Sequence, residues 1–457
     1  MTDTTALLLG ALPDGSVLVG DDVSDDYSHD ECLTAAPQRP EAVVLPRSTE
    51  EVAAILRLAN AHRIPVTPRG SGTGLSGGCI PQPGGIVLSL ERMNRILEID
   101  TSNHGAVVQP GVILSELDDA TAACGLVYPV YPGEMSASRG GNIATNAGGM
   151  RAVKYGVTRH QVLGLEAVLP TGETIRTGGK YVKATSGYDL TQLITGCEGT
   201  LAVVTEATMK LYPRPEHQVM VVAPFANLAD LTSAVPRIVT SGVAPLILEY
   251  AEMATLVLLA GEAGIELGIP TDMRERAFGC LLVVLESHRE DRLEEDVAVA
   301  CELVLELGAL DAYVLPGHAS QQVLEAREGV FHLAKRSGVH DIVDVVVPRA
   351  SIADYLATVA ELAALHGSFV AGLGHAGDGN VHLSVFQPDV SERSKLMQGI
   401  FEAGVTLGGA VSAEHGIGRE KVEYFLGLED PVKIALMRRI KGAFDPNGIL
   451  NPGALLG

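Results

Sequence analysis

The stretch R69-G70-S71-G72-T73-G74-L75-S76-G77-G78, followed by C79-I80-P81-Q82-P83-G84-G85, decides how the chain is read. It holds a formal G-x-G-x-x-G at Gly72, Gly74 and Gly77. A dinucleotide fingerprint of that form opens a helix whose N-terminus faces the pyrophosphate. The prolines and glycines of residues 79–85 exclude a helix here. Residues without a bulky Cβ instead let consecutive backbone N–H groups turn inward and wrap a diphosphate as an anion-binding nest. The plain alternative is a glycine-rich surface loop. Two further clusters in the same region, G140-G141-N142-I143-A144-T145-N146-A147-G148-G149 and G196-C197-E198-G199-T200-L201, favour a nest.

Outward from this loop the pattern alternates strand and helix. Ala42 to Leu45 reads as a buried strand. Ser48-Thr49-Glu50-Glu51 caps a helix with Val52, Ile55, Leu56 and Ala59 on one face. Ile64 to Val66, Ile86 to Leu90 and Ala106 to Val108 are further strands, and Ile113 to Ala123 is helical. The texture changes at Tyr212-Pro213-Arg214-Pro215, where a domain boundary is expected. Beyond it, strands at Met220 to Ala223, Leu246 to Tyr250, Leu281 to Glu286 and Ile342 to Val347 alternate with helices at Asp291 to Leu307 and Ile352 to His366. This predicts an α+β domain with helices on one face of an antiparallel sheet. A helix from Asp430-Pro431 to Phe444, with proline at its first position, precedes a turn-rich tail. The expected segments are 1–39, 40–215, 216–410 and 411–457.

The 457 residues are 46% hydrophobic and carry a net charge of −23. The acidic excess disfavours nucleic acid and anionic membranes, because phosphate backbones demand clustered Lys and Arg. An anionic substrate would need a local basic residue. The six cysteines are scattered with no C-x-x-C, so no iron–sulfur, zinc-ribbon or disulfide framework is readable, and a reducing cytoplasm is expected. The N-terminus lacks the basic region of a signal peptide, and no apolar run approaches the ~20 residues that span a bilayer.

A second constellation lies in G374-H375-A376-G377-D378-G379-N380-V381-H382. Asp378-Gly379 between apolar runs is a strong hairpin signal, and a tight hairpin brings His375 and His382 side by side. Glu414, in S412-A413-E414-H415-G416, could complete a divalent-metal site of two imidazoles and one carboxylate. His415 would remain as a base. The bland reading is a structural hairpin with two ordinary histidines. The Glu-His-Gly motif and the cofactor-like glycine loops weigh against it.

Taken together, P68 to G78, G141 to G149, E198-G199-T200-L201, H375 to H382, E414-H415-G416-I417-G418 and L450-N451-P452-G453 closely resemble the FAD-linked oxidases with the vanillyl-alcohol-oxidase fold. Within these, the match is to glycolate oxidase flavoprotein subunits, D-lactate dehydrogenases and D-2-hydroxyglutarate dehydrogenases, over nearly the whole chain. The resemblance implies a two-part FAD-binding domain of PCMH type, an α+β cap domain and a C-terminal helical segment returning to the flavin. It places Arg69, Gly70, Ser71, Gly72, Thr73, Gly74, Ser76, Gly77 and Gly78 around the FAD pyrophosphate. Ser136, Gly140, Gly141, Asn142, Thr145, Asn146, Gly148, Glu198, Gly199 and Asn451 would line the rest of the cofactor. His375, His382 and Glu414 become metal ligands, for zinc or else manganese or iron, and His415 the base. Covalently flavinylated relatives carry a His in the first glycine loop where Thr73 stands, which implies noncovalent FAD. Arg327 matches a substrate arginine, against the plain alternative of a solvated helix charge, and Ser384 matches a substrate contact.

The implied reaction is oxidation of a 2-hydroxy acid to a 2-oxo acid. Diacid-specific relatives carry a Lys where Ile342 stands and a hydroxyl where Phe331 stands, which shifts the expectation toward glycolate or D-lactate. The alternatives are a D-2-hydroxyglutarate dehydrogenase and, more remotely, a redox-neutral flavoenzyme resembling alkylglycerone-phosphate synthase. The electron acceptor, whether quinone, O₂, electron-transfer flavoprotein or iron–sulfur subunit, is not written in the sequence. A homodimer is left open.

Overall fold

The computed structural model describes residues 4–265, 267–315 and 317–457. The chain divides into two compact units. The first comprises residues 1–147, 157–213 and 414–457, and the second residues 148–156 and 214–413.

The first unit holds two main sheets. Strands β1 (Val17–Val19), β2 (Ala42–Val44), β3 (Val66–Arg69) and β4 (Ile86–Ser89) form one, ordered β1-β2-β4-β3, with β2, β4 and β3 parallel. Parallel neighbours need crossovers, and the helix Thr49–His62 supplies one between β2 and β3. Ser48 caps it by accepting the Glu51 N–H, while Glu51 reaches back to the Arg47 N–H, and Val52, Ile55, Leu56 and Ala59 are buried. The second sheet is antiparallel, β5 (Ile96–Asp100), β6 (Gly105–Val108), β8 (Val162–Val168), β9 (Thr174–Gly178) and β10 (Val203–Lys210), ordered β5-β6-β10-β8-β9. A short pair, β7 (Leu126–Val127) with β11 (Tyr212–Pro213), completes the set.

The C-terminus closes the first sheet. Leu450 bridges Val66 in parallel, with Val66 donating to Ile449 O (2.8 Å) and Asn451 to Val66 O (2.8 Å). The turn that delivers this segment is built on charge. Lys441 Nζ donates to Thr200 O and Leu450 O (both 2.8 Å) and pairs with Asp445, whose carboxylate accepts the Leu450 N–H (2.8 Å).

The second unit is one seven-stranded antiparallel sheet: β12 (His217–Phe225), β13 (Ile247–Glu252), β14 (Gly279–Ser287), β15 (Tyr313–Leu315), β16 (Asp341–Val346), β17 (Phe369–His375) and β18 (Asn380–Phe386). Its order is β15-β12-β14-β13-β17-β18-β16. Helices Glu290–Glu306 and Ile352–Leu365 fall within a residue of expectation. Coverage differs from it. Consecutive residues of β12, β13 and β14 are buried, so both faces of the central strands are covered rather than one.

The β17–β18 hairpin forms, with a loop of four residues, Ala376 to Gly379, instead of a bare Asp-Gly turn. Asp378 accepts the Asn380 N–H (3.1 Å), Gly377 donates to Leu248 O (2.9 Å), and Gly379 sits at φ +92°. A Cβ on Gly379 would overlap Val347 O. Gly379→Ala should therefore lower the thermal midpoint, through a strain of about 1–3 kcal/mol. Gly442→Ala, in the helix Pro431–Phe444 with open space at its Cβ, should raise stability by about 0.5–1 kcal/mol. Calorimetric unfolding of both variants checks the contrast, and equal midpoints would refute it.

Candidate active site

Strand alternation places His382, Ser384 and, in register beside them, Asp344 and Ile342 on one face of the sheet. His382 lies opposite Leu373, so His375 is its diagonal neighbour across the hairpin. The rings meet edge to face with centroids 4.8 Å apart, and His375 Nε2 is 3.2 Å from His382 Nε2.

Two buried carboxylates orient these rings. Glu249 on β13, fully buried, takes His375 Nδ1 on one oxygen and Arg327 Nε (2.9 Å) on the other. Burial alone would raise its carboxyl, but the His375 and Arg327 charges outweigh that and hold it below the usual carboxylate range. Glu249 takes the Nδ1 side of His375 and so turns its Nε2 toward His382. Asp344, also fully buried, lies 3.8 Å from His382 Nδ1 and accepts from Ser412 Oγ (2.8 Å) and the Ala413 N–H (3.1 Å). Residues 410–413 run beside β16, with Val346 and Ala410 exchanging backbone hydrogen bonds, and Ala413 leads by one peptide bond into Glu414.

Two Nε2 atoms at 3.2 Å require a shared proton or a shared cation between them. Tetrahedral zinc with Zn–N near 2.0–2.1 Å would set its nitrogens ~3.3 Å apart. The donor set thus fits a divalent metal, with Glu249 as the carboxylate that orients a metal-binding imidazole.

Sequence reasoning assigned no role to Glu249 or Asp344. Each is an acid with apolar residues on both sides, L246-I247-L248-E249-Y250 and V343-D344-V345-V346. That pattern is itself a signal, since buried carboxylates persist only with partners. Arg327 spends Nε on Glu249, and its buried Nη2 has no hydrogen-bond partner among the described residues.

In the first unit the glycine loops pack on one another. Ser71 Oγ donates to Ser136 O (2.7 Å), and a Cβ on Gly70 would overlap Ser138 Oγ. Ser138 caps the helix Arg139–Thr145 by accepting the Gly141 N–H, and Gly140 packs tightly on Pro110. Asn142 accepts from Arg139, Thr145 Oγ1 donates to Gly141 O, and Asn146 Oδ1 accepts the Arg159 N–H. Arg69 turns its Nη1 to His29 O (2.7 Å), with Gly72 packed on the guanidinium. A side chain at Gly78 would meet open space, leaving room for a ligand beside the loop.

The segment after Ala413 is held from two directions. Ser76 Oγ donates to His415 O (3.1 Å) and Gly416 O (2.9 Å). Glu198 accepts the N–H groups of Ile417 (2.8 Å) and Gly418 (2.6 Å) from a buried position at φ +51°. Burial pushes its carboxyl up against the pull of those N–H groups and the Lys421 charge. Ser76 and Glu198, expected to touch cofactor, direct these side chains to the backbone around His415. Asn451 donates Nδ2 to Gly78 O (3.0 Å) and Glu198 O (2.9 Å), also at positive φ.

Residues 40–178 match the family model described as "FAD binding domain", and residues 214–455 match "FAD linked oxidases, C-terminal domain". An FAD-linked oxidoreductase of Mycobacterium tuberculosis is 54% identical over the full length of both chains. A D-lactate dehydrogenase of Anaerostipes hadrus is 40% identical, covering 96% of this chain and 94% of its own. A glycolate oxidase subunit of Bacillus subtilis is 39% identical, with coverage of 94% and 91%. Among solved structures, p-cresol methylhydroxylase with bound substrate superposes at a TM-score of 0.79 with 18% identity, covering 97% of this chain and 94% of that one, a likeness of fold alone. The described residues contain no helix long and apolar enough to cross a membrane. With both family models matched in order and relatives aligned end to end, the chain belongs to the FAD-linked oxidases.

Proposed function

We propose that the protein oxidises a small D-2-hydroxy acid, glycolate or D-lactate, to the 2-oxo acid. The observation that carries this is the Nε2 pair of His375 and His382, 3.2 Å apart and oriented through Glu249. The names of the D-lactate dehydrogenase and glycolate oxidase relatives support it. FAD, when bound, accepts the hydride from the substrate Cα. His375, His382 and Glu414 would hold a divalent cation, which would supply Lewis acidity toward the substrate's carboxylate and hydroxyl. His415 takes the hydroxyl proton, with its backbone fixed by Ser76 and the next two N–H groups beyond Gly416 fixed by Glu198. Arg327 Nη2 donates to the substrate carboxylate while Glu249 holds the guanidinium still. Ser384 offers a hydroxyl on the His382 face. Ile342 sits in register beside it, and this apolar neighbour favours a small monoacid over a diacid. FAD is held noncovalently, with Thr73 in the first glycine loop.

Flavin-reduction kinetics test this reading. Anaerobic stopped-flow mixing with glycolate and D-lactate should reduce the flavin, and His415→Asn should slow that step on the order of 10²–10⁴-fold. Arg327→Lys, which keeps a charge beside Glu249 but loses the planar fork, should raise KM with little change in kcat. Wild-type reduction rates in His415→Asn would remove the assigned base.

Glu249→Gln should weaken metal retention about 10–100-fold while FAD content stays constant. Elemental analysis after dialysis against graded chelator reads this directly, and full occupancy in the variant would dismiss the orienting role.

Glu198→Gln sets an amide donor against a backbone N–H, so the His415 loop should shift. A displacement near 1 Å lowers flavin reduction roughly 10²-fold. KM should barely move, and an unchanged rate would count against the lock.

A further inference from the structure

Beyond His415, three buried side-chain polar atoms have no hydrogen-bond partner among the described residues: Lys421 Nζ, Arg419 Nε and Asn451 Oδ1. Lys421 is only 6% exposed, and its ammonium carries three donors. A buried charge without acceptors is strongly disfavoured unless a ligand supplies them. The nearby Glu198 carboxylate does not do so: its oxygens accept the Ile417 and Gly418 N–H groups, and Lys421 acts on it only through space.

The three residues hang from one frame, Lys421 through its N–H on Ile417 O (3.1 Å), the residue whose own N–H Glu198 accepts. Arg419 N donates to Ser76 O (2.9 Å) and its Nη2 to Pro452 O (2.8 Å). Asn451 Nδ2 bonds Gly78 O and Glu198 O. Two carbonyls on Nδ2 fix the orientation of that amide, so Oδ1 is the atom left over. A ligand that satisfies the set must bring acceptors for the two cations and a donor for Asn451 Oδ1. A pyrophosphate carries acceptors only. The pyrimidine edge of an isoalloxazine carries both, with N1 and the C2 and C4 carbonyls flanking an N3–H.

We propose that Lys421 binds the N1–C2 carbonyl edge of the flavin, with Asn451 Oδ1 receiving N3–H. Negative charge gathers at that edge when the ring is reduced, so the ammonium favours the reduced cofactor. This rests on FAD binding but not on the substrate assigned above.

The test uses holoprotein equilibrated with a reference dye under xanthine oxidase reduction, with no hydroxy acid present. Lys421→Met should shift the reduced-to-oxidised flavin ratio about 10–100-fold toward oxidised, the size of a hydrogen bond to a charged group. Lys421→Arg should restore most of the shift. The FAD-free Lys421→Met protein should melt higher than wild type, and its gain on adding FAD should be smaller. Unchanged dye ratio with weakened FAD affinity would assign the ammonium to phosphate and overturn the proposal, as would no change in either. Should Lys421→Met not fold, wild type reconstituted with 1-deaza-FAD, which lacks the N1 acceptor, should bind it at least about tenfold more weakly than FAD. Equal affinity would then be the refuting result. Failure of glycolate and D-lactate to reduce the flavin would sink the substrate assignment and leave this result standing.

Discussion

Glu198 accepts two backbone N–H groups from the loop that carries His415, and it does so in a left-handed conformation that costs a non-glycine residue about 1–2 kcal/mol. That strain persists because alternatives are worse. Without the carboxylate, the Ile417 and Gly418 N–H groups would be buried without acceptors. Without the loop, a buried carboxylate would lose its compensation. Gly418 is held equally firmly, since a Cβ there would overlap Ser76 O. The His415 loop, the first glycine loop and the third glycine cluster are thereby tied into one object.

The second unit solves a comparable problem with charge. Arg327, Glu249 and His375 form a chain in which each group satisfies the next. His375 and Arg327 hold the Glu249 carboxyl below its usual range against its own burial, and Glu249 in turn fixes which nitrogen of His375 faces His382. Such a network is worth more than its separate bonds, and a missing member strands a buried charge. It also explains why an arginine matched to substrate binding is built from a helix end, Gly317–Glu328, aimed at a strand carboxylate.

Much of the fold was legible because periodicity and capping report local physics. Ser48 and Glu51 announce their helix, Pro431 begins another, and Asp378-Gly379 marks the hairpin. The family could be read from glycine loops whose prolines forbid a Rossmann helix. What stayed hidden depends on partners distant in sequence. Glu249 looks like an intruder in an apolar strand until His375 and Arg327 are known. Ser76 and Glu198 sit in cofactor motifs yet direct their side chains at residues 339 and 219 positions away. The extra two residues of the hairpin loop follow from Gly377 bonding Leu248, a contact no local rule encodes.

The first unit is sewn from three separate stretches, and its last strand-like segment pairs with one of its earliest. Asn447 and Asn60, joined side chain to side chain, are 387 residues apart. At about 5–20 residues per second, a ribosome needs roughly 20–80 s to make the intervening chain. Throughout that interval the β3 edge lacks its neighbour, and the charged turn around Asp445 does not yet exist. The nascent protein must shelter an open, parallel, apolar sheet edge for most of its synthesis. Its second unit, by contrast, is complete in sequence once Ala413 has emerged, before the last stretch of the first unit has been made.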